Sequence, residues 1–299
     1  MNALEETTIV HRTAEREQIL QSLKEIRDLP TLPSVFVRII RVLRNPQTPV
    51  KEISRVVEAD QAITMKILKL INSSFYGLSR GVDSVHQAIV LLGATTLKNV
   101  VISASVFKAL GGQGQSALFS RESFWQHSIG CGMIARYLGA KVGFARDEEG
   151  FIAGIIHDIG KVVLDQYFHD HFISVVKEAK SKGISFRQAE LNQLVICHSE
   201  IGAFLAETWS LPEKLVDVIA GHHRYRPDAE EAPMVALIQL SDMLTRKYKV
   251  GSGGDDLVPE VAPEVWQRLN LTENQVASWD EEIQAELAKG KEMLNLMMS

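Results

Sequence analysis

The sequence predicts an all-α protein, and three observations predict it. Apolar residues recur at helical spacing along nearly the whole chain, with capping residues ahead of the runs. Strand-like alternation is weak throughout. Histidines and aspartates fall inside otherwise apolar helical runs of the second half, where an unpaired polar group would be costly.

The chain of 299 residues can bury a large core, as one large or two modest domains. Its net charge of −5 makes no general case for nucleic acid. No apolar run approaches the ~18 residues of a membrane span. The N-terminus, with Glu5, Glu6, His11 and Arg12, lacks the apolar core of a signal peptide. Membrane insertion is therefore not expected. Cys131 and Cys197 both sit in apolar helical settings, which fits a reduced, cytoplasmic chain.

Residues 1–28 form a polar extension and a first helix, with Ile19, Leu20, Leu23 and Ile26 on one stripe. The helix stops at Leu29-Pro30. A first helical lobe is expected over 29–115. Pro33 opens a helix whose inner face is Val35, Phe36, Ile39, Ile40 and Leu43, with Arg38, Arg41 and Arg44 on another side. Thr48 and Pro49 read as the cap and first residue of the next, with Ile53, Val56 and Val57 inside. Asp60 begins another, with Ile63, Ile67, Leu68 and Ile71 inside, closed by Asn72 to Gly77. Ser84 to Gln87 is a capping box. It opens the run Ala88 to Gly93, and Val100 to Leu110 reads as a buried helix. His86, in that first turn, reads as a surface histidine. Residues 29–110 carry ten Lys/Arg against four Asp/Glu, a balance of +6 that leaves −11 for the rest. The basic face either meets an acidic partner or is simply solvated.

Gly111 to Ser116 is a candidate hinge, and a second lobe is expected over 116–250. Within it, Phe151 to Lys161 reads as one helix, with Asp147 as N-cap and Glu148 and Glu149 in the first turn. His157 and Asp158 are adjacent inside this run. A metal ion would offset their burial, since imidazole and carboxylate both bind divalent metals. A buried ion pair with Lys161 is the competing reading. Ala153, Gly154 and Gly160 leave room for another helix or an ion. His127 shares an apolar face with Phe124, Cys131, Ile134 and Leu138. His198 shares one with Leu191, Leu194, Val195, Ile201, Gly202 and Leu205. His222 and His223 end a helix that starts at the box Ser210-Leu211-Pro212-Glu213. Asp242 lies in the apolar run Ala236 to Leu244. Gly251 to Asp256 reads as a flexible linker opening a final segment, 251–299. Thr272 to Gln275 is a capping box with a staple from Leu271 to Val276. Trp279, Ile283, Leu287, Met293, Leu294, Met297 and Met298 then form a stripe expected to pack back on the body.

Five of the nine histidines and two aspartates thus fall at inward or helix-end positions of one lobe, a pattern that fits metal coordination. The order His127, His157-Asp158, His198, His222-His223, Asp242 resembles the HD superfamily of metal-dependent phosphohydrolases. Leu29-Pro30-Thr31-Leu32-Pro33, Asp60, Asn72-Ser73, and Gln87-Ala88-Ile89 with Leu92-Gly93 resemble, more narrowly, the HDOD family. The resemblance spans about residues 25–245. It implies an N-terminal helical lobe packed beside an HD-type, phosphodiesterase-like lobe, and bacterial signalling or regulation, often without demonstrated catalysis.

The resemblance also implies a ligand set. His127, His157, Asp158 and Asp242 would hold one metal, and Asp158 would bridge to a second held by His198, His222 and His223. The ions would be Fe, Mn, Zn, Mg or Ni, one or two in number. Two ions ~3.5–4 Å apart activate a hydroxide and clamp a phosphoryl group. In a hydrolase Asp158 and Lys161 would be catalytic. Lys161, Arg224 and Arg226 are candidate phosphate contacts. The chain departs from HD-GYP phosphodiesterases in having Arg224-Tyr225-Arg226-Pro227 after the paired histidines, in Ser123 where some have glutamate, and, in the first lobe, in Gln61 where the HDOD family usually has proline. The expected function is a regulatory module that binds a signalling protein or a small nucleotide-type ligand and retains the metal site. The alternative is a metal-dependent phosphohydrolase or phosphodiesterase acting on a nucleotide or cyclic dinucleotide. The basic lobe carries no recognisable nucleic-acid reading motif.

Overall fold

In the computed structural model the described residues are 21, 23, 32, 34–43, 45, 47–111, 116, 118–144, 147–194 and 196–298, and every regular element among them is helical. Four helices build the first lobe: α1 (Ser34–Leu43), α2 (Val50–Glu58), α3 (Gln61–Ile71) and α4 (Val85–Leu110). The first three pack on α4. Phe36, Ile39, Ile53, Val57, Ile63 and Ile67 are buried, as their helical spacing requires. Asp60 caps α3, accepting the Ile63 amide at 3.0 Å. Pro49 stands at the cap of α2, one residue later than expected. The Thr48 hydroxyl instead donates to Val42 O at 2.9 Å and closes the preceding helix. Arg38 and Arg41 are exposed. Arg44, residues 1–20 and most of the predicted first helix and hinge lie outside the described residues, though Leu23 is buried.

Helix α4 joins the two apolar runs read separately in the sequence. It turns at Gly93, whose φ of 84° suits glycine. At 26 residues it is long and apolar enough to cross a membrane by length and composition, contrary to the expectation that no such run exists. In the fold, 61% of its apolar window is buried within the chain. Its second half packs on the next lobe, where Asn99 Nδ2 donates to Glu148 O at 2.7 Å.

The second lobe contains α5 (Arg121–Lys141), α6 (Asp147–Ile156), α7 (Ile159–Tyr167), α8 (His169–Lys182), α9 (Phe186–Gln193), α10 (His198–Thr208), α11 (Glu213–Gly221) and α12 (Ala232–Lys247). Helix α5 lies at its centre, against α6 and α12. Helices α13 (Pro263–Leu269), α14 (Glu273–Ala277) and α15 (Asp280–Met298) complete the chain. Thr272 and Gln275 form the predicted capping box of α14. Helix α15 packs on α5 and α3, burying Ile283, Met293, Leu294 and Met297, so the terminal stripe does return to the body.

Four local readings change. His157 and Asp158 are not inside a helix: α6 ends at Ile156 and α7 starts at Ile159. Asp147 is the first residue of α6 rather than its cap. His198 begins α10, after an extended Leu194 that ends α9. Ser210 adopts φ 54° and Pro212 takes the cap of α11 without a side-chain bond, so the expected serine box does not form. At His157 and at His198 a break in the helix lets the histidine turn toward its neighbours instead of following one helical face.

Candidate metal centre

Close helix crossings bring the histidines together. A methyl on Gly160 would lie 1.9 Å from His198 O, and one on Gly154 2.5 Å from Gly132. The small residues around His157 therefore admit helices, α10 at Gly160 and α5 at Gly154, rather than an ion. His127, on α5, and Asp242, on α12, approach from the other side.

Asp158 is the hub. Its Oδ1 is 3.1 Å from His198 Nε2 and 3.4 Å from His222 Nε2. Its Oδ2 is 3.4 Å from His157 Nε2, 4.0 Å from His127 Nε2 and 2.6 Å from Lys161 Nζ. His223 Nε2 lies 2.9 Å and His222 Nε2 3.3 Å from His198 Nε2. Asp242 Oδ1 is 3.0 Å from His127 Nε2. The seven residues predicted as ligands thus converge. They form two groups that could hold a metal: Asp158 with His198, His222 and His223, and Asp158 with His127 and His157. Asp242 adjoins the second through His127.

Hydrogen bonding turns the ring nitrogens toward this centre. His157 Nδ1 is 2.7 Å from Gly154 O, and His222 Nδ1 is 2.7 Å from Ile219 O. A carbonyl only accepts, so each Nδ1 carries a proton and each ring turns its Nε2 inward. His198 Nδ1 meets Glu190 Oε2 at 2.6 Å, and Glu190 Oε1 also accepts the His198 amide at 2.9 Å. His127 Nε2, His157 Nε2 and Asp158 Oδ1 are buried without a hydrogen bond. Buried polar atoms are normally satisfied. Converging lone pairs and carboxylate oxygens fit a divalent cation.

Except at His198, the shifted charge states agree with ligand chemistry, which needs neutral imidazole and ionised carboxylate. Burial pushes the pKa of Asp158 up, but Lys161 and the neighbouring His157 and His198 outweigh it and hold the carboxyl well below its usual range. Burial likewise raises Asp242, and Arg246 and His127 outweigh it and hold it low. Burial depresses His127 and His223, and brings His222 down to about 4. His198 goes the other way: burial lowers it, but Glu190 more than compensates. The ion pair of Asp158 with Lys161 that competed with the metal reading is also present, beside the cluster rather than in place of it.

The centre borders a cleft of about 590 Å³ whose walls include Lys161, Arg187, His222, His223, Tyr225 and Asp242. Arg187 Nη1 donates to His223 O at 2.8 Å, while its buried Nε has no partner. Arg224 and Arg226 are exposed and absent from the cleft wall, which Tyr225 and Pro227 supply instead. The run read as a flexible linker is ordered against the centre. Ser252 N donates to Ser123 O at 3.0 Å, and Asp255 is buried, accepting from Arg246 Nη1 at 2.8 Å and Phe186 N at 3.0 Å. Glycines at 251 and 253 permit this approach: a methyl on Gly251, whose φ is +62°, would fall 2.4 Å from His127 N. Sequence reasoning missed Glu190, Arg246 and Asp255. Arg246 was within reach, one helical turn from Asp242. Glu190 was not, because a helix break separates it from His198.

This helical fold, with the His157-Asp158 pair in the break between α6 and α7 and further histidines gathered round it, has the arrangement of an HD-type domain. The family model of the HDOD domain matches residues 29–225, and the chain belongs to that family. An uncharacterised protein of Treponema pallidum is 27% identical over 199 residues, and the match spans 38% of that relative's length. The crystal structure of an HDOD domain protein of unknown function from Geobacter sulfurreducens is similar at a TM-score of 0.78 and 27% identity, over 96% of this chain and 99% of that one. A candidate signal transduction protein from Marinobacter aquaeolei also gives 0.78, at 24% identity, over 96% of this chain and 66% of that one.

Proposed function

We propose that the chain is a signalling or regulatory module whose HD-type centre retains a divalent metal and which takes a phosphate-bearing, nucleotide-type ligand in the adjoining cleft. The observation that carries this reading is the convergence of inward-facing imidazole nitrogens on Asp158, with ring protons tied to Gly154 O and Ile219 O. His127, His157, Asp158, His198, His222, His223 and Asp242 are the residues that would hold the metal. When bound, the metal supplies a positive charge that anchors an anionic ligand oxygen and acidifies a bound water. Lys161 and Arg187, at the cleft wall, add two further cations suited to phosphate.

A second reading, metal-dependent phosphohydrolysis, is favoured by the opening of the cleft onto His222, His223 and Asp242. In that case Asp158 and Lys161 are the catalytic candidates. The regulatory reading is preferred because a ligand set alone does not supply substrate recognition. The test is a turnover assay on a phosphoester panel with added Mn²⁺, Fe²⁺ or Mg²⁺, beside elemental analysis of protein purified without chelator and thermal-shift measurement with nucleotides. The regulatory reading expects retained metal, nucleotide-dependent stabilisation and no turnover. Turnover abolished by Asp158→Ala with the fold intact would establish the hydrolase. Metal-free protein that takes up no added ion would end both.

A further inference from the structure

The group that fixes a ring in the centre depends on where its histidine stands in a helix. His157 and His222 each follow a helix end, of α6 and α11, and each sets Nδ1 against the carbonyl three residues back, Gly154 O and Ile219 O, at 2.7 Å. Carbonyls of a last helical turn have no intrahelical donor, so they are free to accept. His198 stands at the opposite end, as the first residue of α10. The chain leading to it is extended at Leu194 and Cys197, so no helical turn stands behind the ring to offer a carbonyl. Its Nδ1 is met from another helix instead, by Glu190 Oε2 of α9 at 2.6 Å, while Glu190 Oε1 accepts the His198 amide at 2.9 Å.

Resting on the metal-centre reading above, we propose that Glu190 is a positioning residue of the centre: it holds the His198 ring with a proton on Nδ1 and so presents Nε2 as the metal ligand. The residue type fits this role. Both groups that Glu190 meets here belong to His198, and the backbone amide is a permanent donor. Only an ionised carboxylate accepts at both of its oxygens; glutamine would turn an NH2 toward one of them. Glu190 is fully buried, and among the described residues no lysine or arginine pairs with it. A buried carboxylate without a cation is costly, and a tether to one amide alone would not require it. With Nδ1 committed, His198 Nε2 lies 3.1 Å from Asp158 Oδ1, 2.9 Å from His223 Nε2 and 3.3 Å from His222 Nε2. Arg187, one turn earlier on α9, donates from Nη1 to His223 O at 2.8 Å, so this short helix holds two of the candidate ligands. Carboxylates behind ligating histidines fix ring orientation and tautomer in this way.

The full-length protein, carrying isotope-labelled histidine, is stripped with chelator and titrated with Zn²⁺ as the probe, with NMR of the ring nitrogens beside calorimetry. In the unmodified, metal-free protein His198 Nδ1 is expected to carry a proton, and Zn²⁺ should shift Nε2 while Nδ1 stays protonated. Glu190→Gln should strip the proton from Nδ1 and leave it on Nε2, because an imidazole can change tautomer to face the new NH2 and a backbone amide cannot. Zn²⁺ affinity should fall with it by about 10–100-fold. Glu178→Gln is the control for a loosened α9: it weakens the ties to Asn192 and Gln193 and should leave the His198 ring and the affinity unchanged. Three results would overturn the role of Glu190 and leave the metal reading standing. They are Zn²⁺ uptake by unmodified protein whose His198 Nδ1 is bare, Glu190→Gln with ring and affinity unchanged, and an equal loss of affinity in Glu178→Gln. No uptake of Zn²⁺ by the unmodified protein overturns both. The first arm needs no variant, so failure of Glu190→Gln to fold does not protect the proposal.

Discussion

Asp158 and Lys161 are each 1% exposed and 2.6 Å apart. Removing one leaves a buried charge without its partner, which costs about 3–5 kcal/mol. Asp158→Ala should therefore destabilise the protein by that amount in urea unfolding, on top of any loss of metal. The double variant Asp158→Asn, Lys161→Met should recover most of it, because no orphan charge remains. A double variant no more stable than the single one would show that Asp158 is needed by the histidines rather than by the lysine. Gly160 is limited by space. A methyl there meets the His198 carbonyl at 1.9 Å, so backbone must move. Gly160→Ala should cost about 3 kcal/mol through overpacking and should weaken metal binding, since the displaced residue is itself a candidate ligand. Unchanged melting would mean that α7 and α10 do not cross as described.

The run from Gly251 to Asp256 behaves as an element although it has no regular structure. Asp255 accepts from Arg246 of α12 and from the amide of Phe186 at the start of α9. Asp255→Ala should free the run, and hydrogen exchange of the amides around 252–257 should speed up while α5 stays protected. Helices α8 and α9 are tied by Glu178, which meets Lys182, Asn192 and Gln193. The amide of Asn192, with Lys182 and Gln193, holds its carboxyl down to about 2, against an ordinary value of 4.5. A depressed carboxyl stabilises the fold above its unfolded value and loses that contribution as pH falls through the folded one. The melting-temperature advantage of the native protein over Glu178→Gln should thus be full above pH 4.5 and fade toward pH 2. A constant difference across that window would remove Glu178 as an ionised tie.

Across the whole molecule, the lobes meet where α4 packs on α6 and where Arg136 of α5 reaches the loop after α3. Arg136 Nη2 donates to Phe75 O at 3.3 Å and its guanidinium lies 3.7 Å from the Phe75 ring centroid. Phe75 in turn stacks at 4.7 Å on Phe151 of α6, the helix that leads to His157. Arg136→Ala should cost about 1–2 kcal/mol, the combined scale of a cation–π contact and a hydrogen bond. Its loss should be read in the unfolding of both lobes together. If only one lobe's probes respond, the lobes are energetically separate and the contact is incidental.

The sequence by itself determined the helical class, the order of the elements, the caps at Asp60, Ser84 and Thr272, and the residue types of the centre. Those features are local: a period, a cap or a buried polar side chain is set by neighbours within one or two turns. Tertiary structure alone decided which helix breaks turn His157 and His198 inward, because a break is stabilised by what packs across it. It alone brought Glu190 to His198 and Asp255 to Arg246. It also turned a glycine-rich run from apparent linker into the roof of the centre. Glycine records only that the backbone is free; the His127 amide and the Asp158 carboxylate, supplied by distant segments, determine how that freedom is used.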